Sequence, residues 1–239
     1  MNKKTIIIGA TSGIGKALFE NYAKDGNRLG IVGRRTNLLD ELRCHHPSNT
    51  YTATSDITKQ DEIEQAVQSL RKELGSIDLA IVYSGTGEIN PSLDYDVECP
   101  TLDTNVTGWT FVVDMLYHIF EQQGHGHLVA ITSTGGLRGE PMAPAYSATK
   151  AYQINYMEAL RKKAYKAGGN IIVTDVRPGL VDTAMAKGEG LFWVMPVEKV
   201  ARQICAAIRL KKSKVYVTKR WHILAVINKN LPFTMYKRM

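Results

Sequence analysis

The sequence predicts an α/β fold, a single doubly wound sheet of seven parallel strands with helices on both faces, and three observations carry that prediction. Apolar runs rich in Ile and Val alternate with longer stretches of 3.6-residue periodicity, the pattern of repeated βαβ units whose strands are buried on both faces. The chain has 239 residues, 44% of them hydrophobic and 22% charged, which suffices for one large core. No internal repeat, low-complexity tract or Pro/Ser-rich linker divides it. Residues 1–210 therefore read as one domain that continues through a last strand near 214–217, with 218–239 as a basic amphipathic tail.

The elements follow in order. Thr5–Ile8 is the first strand, ending at Gly9, and an apolar-periodic helix begins near Lys16. Leu29–Val32 is the second strand; Cys44-His45-His46 reads as the exposed end of the helix after it, closed by Pro47. After the third strand, Tyr51–Thr54, the run Thr58-Lys59-Gln60-Asp61 reads as a capping box. Ile63, Val67, Leu70 and Leu74 follow at helical spacing, with Gly75 as the stop. Leu79–Val82 is the fourth strand and Asp103 to Gln123 a long helix. His127–Thr132 is the fifth strand, and a second long helix runs from Ala145 to Ala167 before Gly168-Gly169. Ile171–Val176 and Lys214–Val217 complete the sheet.

Composition excludes several classes. Thirty Lys and Arg against 23 Asp and Glu give +7, but residues 211–239 hold eight basic residues and no acid, which leaves residues 1–210 at −1. The body thus offers no basic face for a nucleic acid. Cys44, Cys99 and Cys205 are too widely spaced for a stapled scaffold or a paired zinc site. The apolar run behind Lys3-Lys4 is too short for a signal peptide or a spanning helix, so a reducing cytoplasm is expected. His125-Gly126-His127 has a chelating spacing without a carboxylate or Cys nearby in sequence, and no metal is expected.

Directly after the first strand stands Gly9-Ala10-Thr11-Ser12-Gly13-Ile14-Gly15. Glycines at a strand–helix turn let backbone N–H groups approach a pyrophosphate at the positive end of a helix macrodipole, so Gly9, Thr11, Ser12, Gly13, Ile14 and Gly15 would cradle a dinucleotide. Nineteen residues after Gly15, at the end of the second strand, are Arg34 and Arg35. An acid there would take the ribose 2′-OH of NAD, whereas guanidinium groups pair with a 2′-phosphate, so NADP is expected and NAD less so. Two solvated arginines are the bland alternative. Asp56 is placed either to accept from an adenine amino group or to terminate its strand.

Tyr146 and Lys150 are four residues apart on one helix face, and Ser133 stands thirteen residues upstream at the end of the fifth strand. With Gly9, Gly13 and Gly15, Asp56, Asn105 in Asn105-Val106-Thr107-Gly108, and Pro178-Gly179 followed by Thr183, the chain resembles the short-chain dehydrogenase/reductase family along nearly its whole length. The resemblance implies a Rossmann-type fold and an NADPH-dependent oxidoreductase. It would transfer a hydride to a ketone or aldehyde, or from the alcohol.

Such chemistry needs a proton donor and a second hydrogen bond at the carbonyl oxygen, assigned to Tyr146 and Ser133. An ammonium about 5 Å from the phenol, at an effective dielectric near 20, is worth roughly 3 kcal/mol, or about two pKa units, so Lys150 is expected to make Tyr146 more acidic. The resemblance further implies that Lys150 holds the nicotinamide ribose and that Asn105 joins it to solvent through water. It implies too that Ile57, Gly85, Pro178, Gly179, Val181 and Thr183 line the cofactor, and that the chain forms a homo-oligomer through its two long helices. Rival readings are an NADP-binding regulatory protein with little turnover, and sugar-nucleotide epimerisation, for which the chain has no added substrate domain.

Where the family usually has Asn-Asn-Ala-Gly, this chain has Val82-Tyr83-Ser84-Gly85, so the bonds of those asparagines must come from elsewhere, Ser84 or Thr86 being candidates. Ala184 to Met195 reads as a lid with Gly188 and Gly190 as hinges and Leu191 to Met195 as an apolar lining. Phe192 and Trp193 would then meet a hydrophobic substrate, unless the segment docks on the core or another subunit. The tail around Trp221 is too short to span a bilayer; it either lies on an anionic membrane surface or packs on protein.

Overall fold

The computed structural model describes residues 3–184, 186 and 192–238. Seven strands form one parallel sheet: β1 (Lys4–Ile8), β2 (Arg28–Gly33), β3 (Thr50–Thr54), β4 (Leu79–Val82), β5 (Gly126–Ile131), β6 (Ile171–Pro178) and β7 (Lys214–Val217), in the spatial order β3-β2-β1-β4-β5-β6-β7. The Ile and Val runs are explained by two cores on opposite faces of the sheet. Within β1, Ile6 and Ile8 face one core and Ile7 the other, and β4 divides Ala80 and Val82 from Leu79 and Ile81 in the same way. Period-two alternation between two apolar layers is what a strand covered on both sides requires.

One layer holds α3 (Gln60–Leu74), α5 (Trp109–Gln123) and α6 (Pro144–Lys166), which contribute Val67, Trp109, Val113, Phe120 and Met157 to the first core. The other holds α1 (Gly13–Lys24), α2 (Thr36–His45) and α7 (Val197–Arg209), which contribute Leu18, Phe19, Leu39, Ile204 and Ile208. Gly75 and Gly124 end α3 and α5 in the left-handed conformation, with φ of 80° and 73°, as a C-terminal glycine stop requires.

Three local readings differ from the expectation. Thr58 does not cap α3: Lys59 occupies that place without a side-chain bond, and the Thr58 hydroxyl instead donates to Asp56 Oδ1 at 3.0 Å. A carboxylate two residues away outbids the orphan N–H groups of the helix. The long helix from Asp103 is preceded by α4 (Tyr95–Leu102), and the two are joined by a π-helical segment, Asp103–Gly108, that carries Asn105. The tail forms α8 (Lys219–Asn230) and α9 (Phe233–Tyr236), and α8 bears apolar residues on both sides. Ala225 is buried and Trp221 and Leu224 half-buried, while Ile223, Val226 and Ile227 are exposed.

Strand order reverses between β1 and β4, so the crevice at the C-terminal ends of these strands is where a parallel α/β sheet binds ligands.

Candidate active site

A cleft of about 320 Å³ opens at that reversal, and its walls bring together Gly9, Thr11, Ser12 and Gly13 with Arg34, Arg35, Asp56, Ile57, Gly85 and Thr183. The glycine loop is built for close approach. Gly9 has φ +94°, and a Cβ at Gly15 would lie 2.1 Å from the Gly9 carbonyl oxygen. Arg35 donates to Thr11 Oγ1 from Nε and Nη2 at 3.3 and 2.8 Å, and Arg34 lies 3.5 Å from Asp56 Oδ2 with most of its side chain in solvent. Burial works against the Asp56 charge, but bonds from the Thr58 N–H and hydroxyl and the nearby Arg34 outweigh it and hold the carboxyl below its ordinary value. Ile14 and Val181 lie behind the cleft in the core.

Tyr83, at the second position of the departed motif, packs under the loop, where a Cβ on Gly13 would lie 2.7 Å from its hydroxyl oxygen. Burial raises its pKa. Asn105 is fully buried and clamps the strand's exit through the Thr86 backbone. Its Oδ1 accepts from Thr86 N at 2.9 Å and its Nδ2 donates to Thr86 O at 2.7 Å. The same Nδ2 donates to Thr149 Oγ1 on α6 at 3.0 Å.

Ser133 leaves β5 and opens a short 3₁₀ turn, Thr134–Leu137, with its Oγ accepting from Gly135 N at 3.0 Å. Tyr146, half-buried in the first turns of α6, faces Ser133 across Gly135, where a Cβ would lie 3.3 Å from Ser133 Oγ and 3.5 Å from Tyr146 Cε1. Lys150, one turn further, is 4% exposed, and its Nζ sits 5.8 Å from the Tyr146 ring centroid. The expected acidification of Tyr146 is not found. Burial raises its pKa, and the nearby Ser133 side chain opposes that only in part. Burial also lowers Lys150 from 10.5 to about 8, with the charge of Asp175 acting in the opposite sense. Desolvation thus outweighs the attraction that spacing alone suggests.

A phenol thus faces a serine hydroxyl, with a buried ammonium behind it and a glycine-lined cleft beside it, and residues 3–191 match the short chain dehydrogenase family. The chain belongs to that family. An uncharacterized oxidoreductase of Staphylococcus haemolyticus is 31% identical over 185 residues, covering 76% of this chain and 79% of that one. A short chain dehydrogenase from Burkholderia cenocepacia, solved in complex with NADP, superposes with a TM-score of 0.86 at 20% identity, over 99% of this chain and 97% of that one. A 3-ketoacyl-(acyl-carrier-protein) reductase from Brucella melitensis, complexed with NADH, gives 0.81 at 20% identity, over 89% and 95%. The chain is accordingly an NAD(P)-dependent short-chain dehydrogenase/reductase.

Around the end of β6 the structure gathers residues that the sequence does not bring together. Trp221 of α8 lies against Gly179, where a Cβ would fall 2.0 Å from the indole Cδ2. Its ring stacks on Phe192 at 5.5 Å, and its Nε1 donates to the Trp193 carbonyl at 3.3 Å. Pro178 accepts from Thr134 Oγ1 at 3.1 Å, which ties the end of β6 to the Ser133 turn. Of the expected lid, Gly188, Gly190 and Leu191 lie outside the described residues; Met195 is paired with Val181 as an isolated bridge. Gly87 was not anticipated either. A Cβ there would lie 2.4 Å from Tyr146 Cδ2, so the loop after β4 packs flat on the phenol ring.

Among the described residues no three His, Cys, Asp or Glu side chains gather as a metal site. His127 is buried and bonded to Thr174 Oγ1 at 2.8 Å, while His125 lies 3.7 Å from Asp78. The three cysteines are free thiols, and no described helix is long and apolar enough to cross a membrane.

Proposed function

We propose that this protein is an NADPH-dependent carbonyl reductase, or the reverse alcohol dehydrogenase, acting on a hydrophobic ketone or aldehyde. The observation that carries the reading is the juxtaposition of Ser133 and Tyr146 on either side of Gly135, with the Lys150 ammonium buried behind them. The residues present fit a dinucleotide, since the loop leaves no room for a Cβ at Gly15 and Arg34 and Arg35 stand at the cleft's edge. When bound, the reduced nicotinamide supplies the hydride. Gly9, Thr11, Ser12 and Gly13 would hold the pyrophosphate, Asp56 and Ile57 the adenine side, and Arg34 and Arg35 the 2′-phosphate.

The protein's own part is to hold and protonate one oxygen. Ser133 donates to the substrate oxygen and Tyr146 delivers the proton as charge develops on it. A pKa raised by burial keeps the Tyr146 hydroxyl protonated at neutral pH, which suits reduction. Lys150, with a pKa of about 8, is largely charged at pH 7 and steadies the phenolate left behind. Asn105 supports the site by clamping Thr86 and Thr149. The aromatic cluster of Phe192, Trp193 and Trp221 favours an apolar substrate.

The test is a screen of apolar ketones and aldehydes with NADPH and NADH side by side, following absorbance at the nicotinamide band. The expected result is faster oxidation of NADPH and loss of turnover in Tyr146→Phe. An unchanged rate in Tyr146→Phe would overturn the assignment, and cofactor binding without oxidation across the panel would favour a regulatory protein. Two further parts of the proposal have their own tests. Homo-oligomerisation through α5 and α6 is favoured by the exposed aromatic side chains Tyr152 and Tyr165 on α6, and light scattering reads it. Peripheral attachment to an anionic membrane is favoured by exposed Ile223, Val226 and Ile227 beside the tail's cations, and flotation with vesicles containing phosphatidylserine reads it.

A further inference from the structure

Lys150 has a partner that the scheme above leaves unused. Its Nζ donates to Gln153 Oε1 at 2.9 Å, and Gln153 Nε2 donates to the backbone carbonyl of Asn105 at 2.8 Å. Gln153 is wholly buried and lies three residues after Lys150, so the two share one face of α6. A primary amide in such a place is costly unless both ends are bonded. Here one end meets a charge and the other a carbonyl of the π-helical segment, 48 residues away in sequence.

We propose that Gln153 is a positioning residue for the hydride-transfer site: its amide fastens the Lys150 ammonium to the Asn105 carbonyl and sustains its charge beside Tyr146. The inference rests on the roles given above to Tyr146 and Lys150. It adds a side chain where the family resemblance implies a water link. An ammonium has three donors, so the bond to Gln153 leaves two for the cofactor side.

The groups facing Lys150 show why this bond matters. On α6 they are Tyr146 and Gln153; on the loop after β4 it is Gly85, whose Cβ would lie 3.2 Å from Nζ; on β6 it is Asp175. Asp175 is a weak counter-ion for Lys150, because Arg177 already holds its Oδ2 at 2.7 Å through Nε and 2.6 Å through Nη2, while Thr132 donates to Oδ1 at 2.7 Å. Among the described residues the carboxylate whose charge acts on the lysine is Asp175, and it is already engaged. A charge-assisted hydrogen bond from a neutral amide opposes that burial without cancelling the positive charge that Tyr146 needs. A glutamate in the same place would hold the lysine equally well but neutralise it.

The experiment is a titration of Lys150 Cε by ¹³C NMR in the full-length protein labelled with [ε-¹³C]lysine, Lys150→Met identifying the signal. Gln153→Leu is expected to lower the Lys150 midpoint by about one to two pKa units, the worth of a hydrogen bond to a charged group. Gln153→Glu, which keeps the shape, is expected to raise it by about one unit or more. Midpoints within about 0.3 of the wild type in either folded variant would overturn the proposal. Failure of both variants to fold would overturn it as well, by assigning Gln153 to packing. The titration needs no turnover, so a chain that reduced no carbonyl would sink the proposed activity while the midpoint still decided the part of Gln153.

Discussion

Replacing Lys150 by Met should stabilise the cofactor-free protein at neutral pH while abolishing turnover. Lys150 is 4% exposed, and burial lowers its pKa from 10.5 to about 8. At about 1.4 kcal/mol per pKa unit, keeping this ammonium in the folded protein at pH 7 costs about 3 kcal/mol. Methionine fills much of the same space without the charge. The substitution leaves Gln153 Oε1 without its donor, an offset of about 1–3 kcal/mol. The net expectation at pH 7 is a gain between about 0 and 2 kcal/mol. Because the folded pKa lies below the unfolded one, the folded wild type releases this proton first as pH rises. Its stability therefore increases between about pH 8 and 10.5 relative to Lys150→Met, and the relative gain is lost as pH falls back through about 8. Urea unfolding followed by tryptophan fluorescence at pH 7, 8.5 and 10 reads the difference between the two proteins, in which titrations common to both cancel. A difference that does not change with pH across this window would refute the reasoning.

Gly87→Ala should cost about tenfold or more in kcat and leave NADPH affinity within about twofold, since its Cβ would stand 2.4 Å from the Tyr146 ring and misplace the hydroxyl; fluorescence titration and steady-state kinetics separate the two effects. Trp221→Ala should raise KM for an apolar ketone by about tenfold with a smaller change in kcat, because it removes the indole stacked on Phe192 and resting on Gly179. Arg34→Ala should lower kcat/KM with NADPH by about tenfold and spare NADH, and an equal loss with both cofactors would mean that Arg34 serves only to hold Asp56.

The central strands were legible because each must be apolar on both faces, as Ile6-Ile7-Ile8 of β1 and Leu79–Val82 of β4 are. The expected His127–Thr132 and the observed Gly126–Ile131 differ by one residue at each end. The geometry of Tyr146 and Lys150 was legible for a local reason, since four residues on a helix place two side chains together whatever surrounds them. Their ionisation was not. Spacing gives the distance between an amine and a phenol but not the burial of either, and burial decides the direction at Tyr146. Thr58 misled because a capping signature does not record that Asp56 competes for the same hydroxyl. Gln153 gave no signal either, because its significance lies in a carbonyl that only the packing of α6 against the π-helical segment brings near.

The tail illustrates the same limit with a larger consequence. A tryptophan beside basic residues at the end of a chain leaves two readings open, a membrane surface or a protein surface, and the structure packs α8 against β7 and the turn after Ser133. Arg138, five residues after Ser133, donates through Nε to Asn228 O at 3.0 Å and through Nη2 to the Leu231 carbonyl. Tyr236 OH donates to Gly139 O at 2.5 Å, and the Arg138 guanidinium lies 4.8 Å from the Tyr236 ring centroid. A cation at the C-terminal carbonyls of a helix is favoured by the macrodipole as well as by the bonds themselves. The turn that begins at Ser133 is therefore held at both ends, by Pro178 through Thr134 and by α8 through Arg138. The helix that carries Trp221 against Gly179 is also the one that holds the Ser133 turn through Arg138, so one helix ties the end of β6 to that turn.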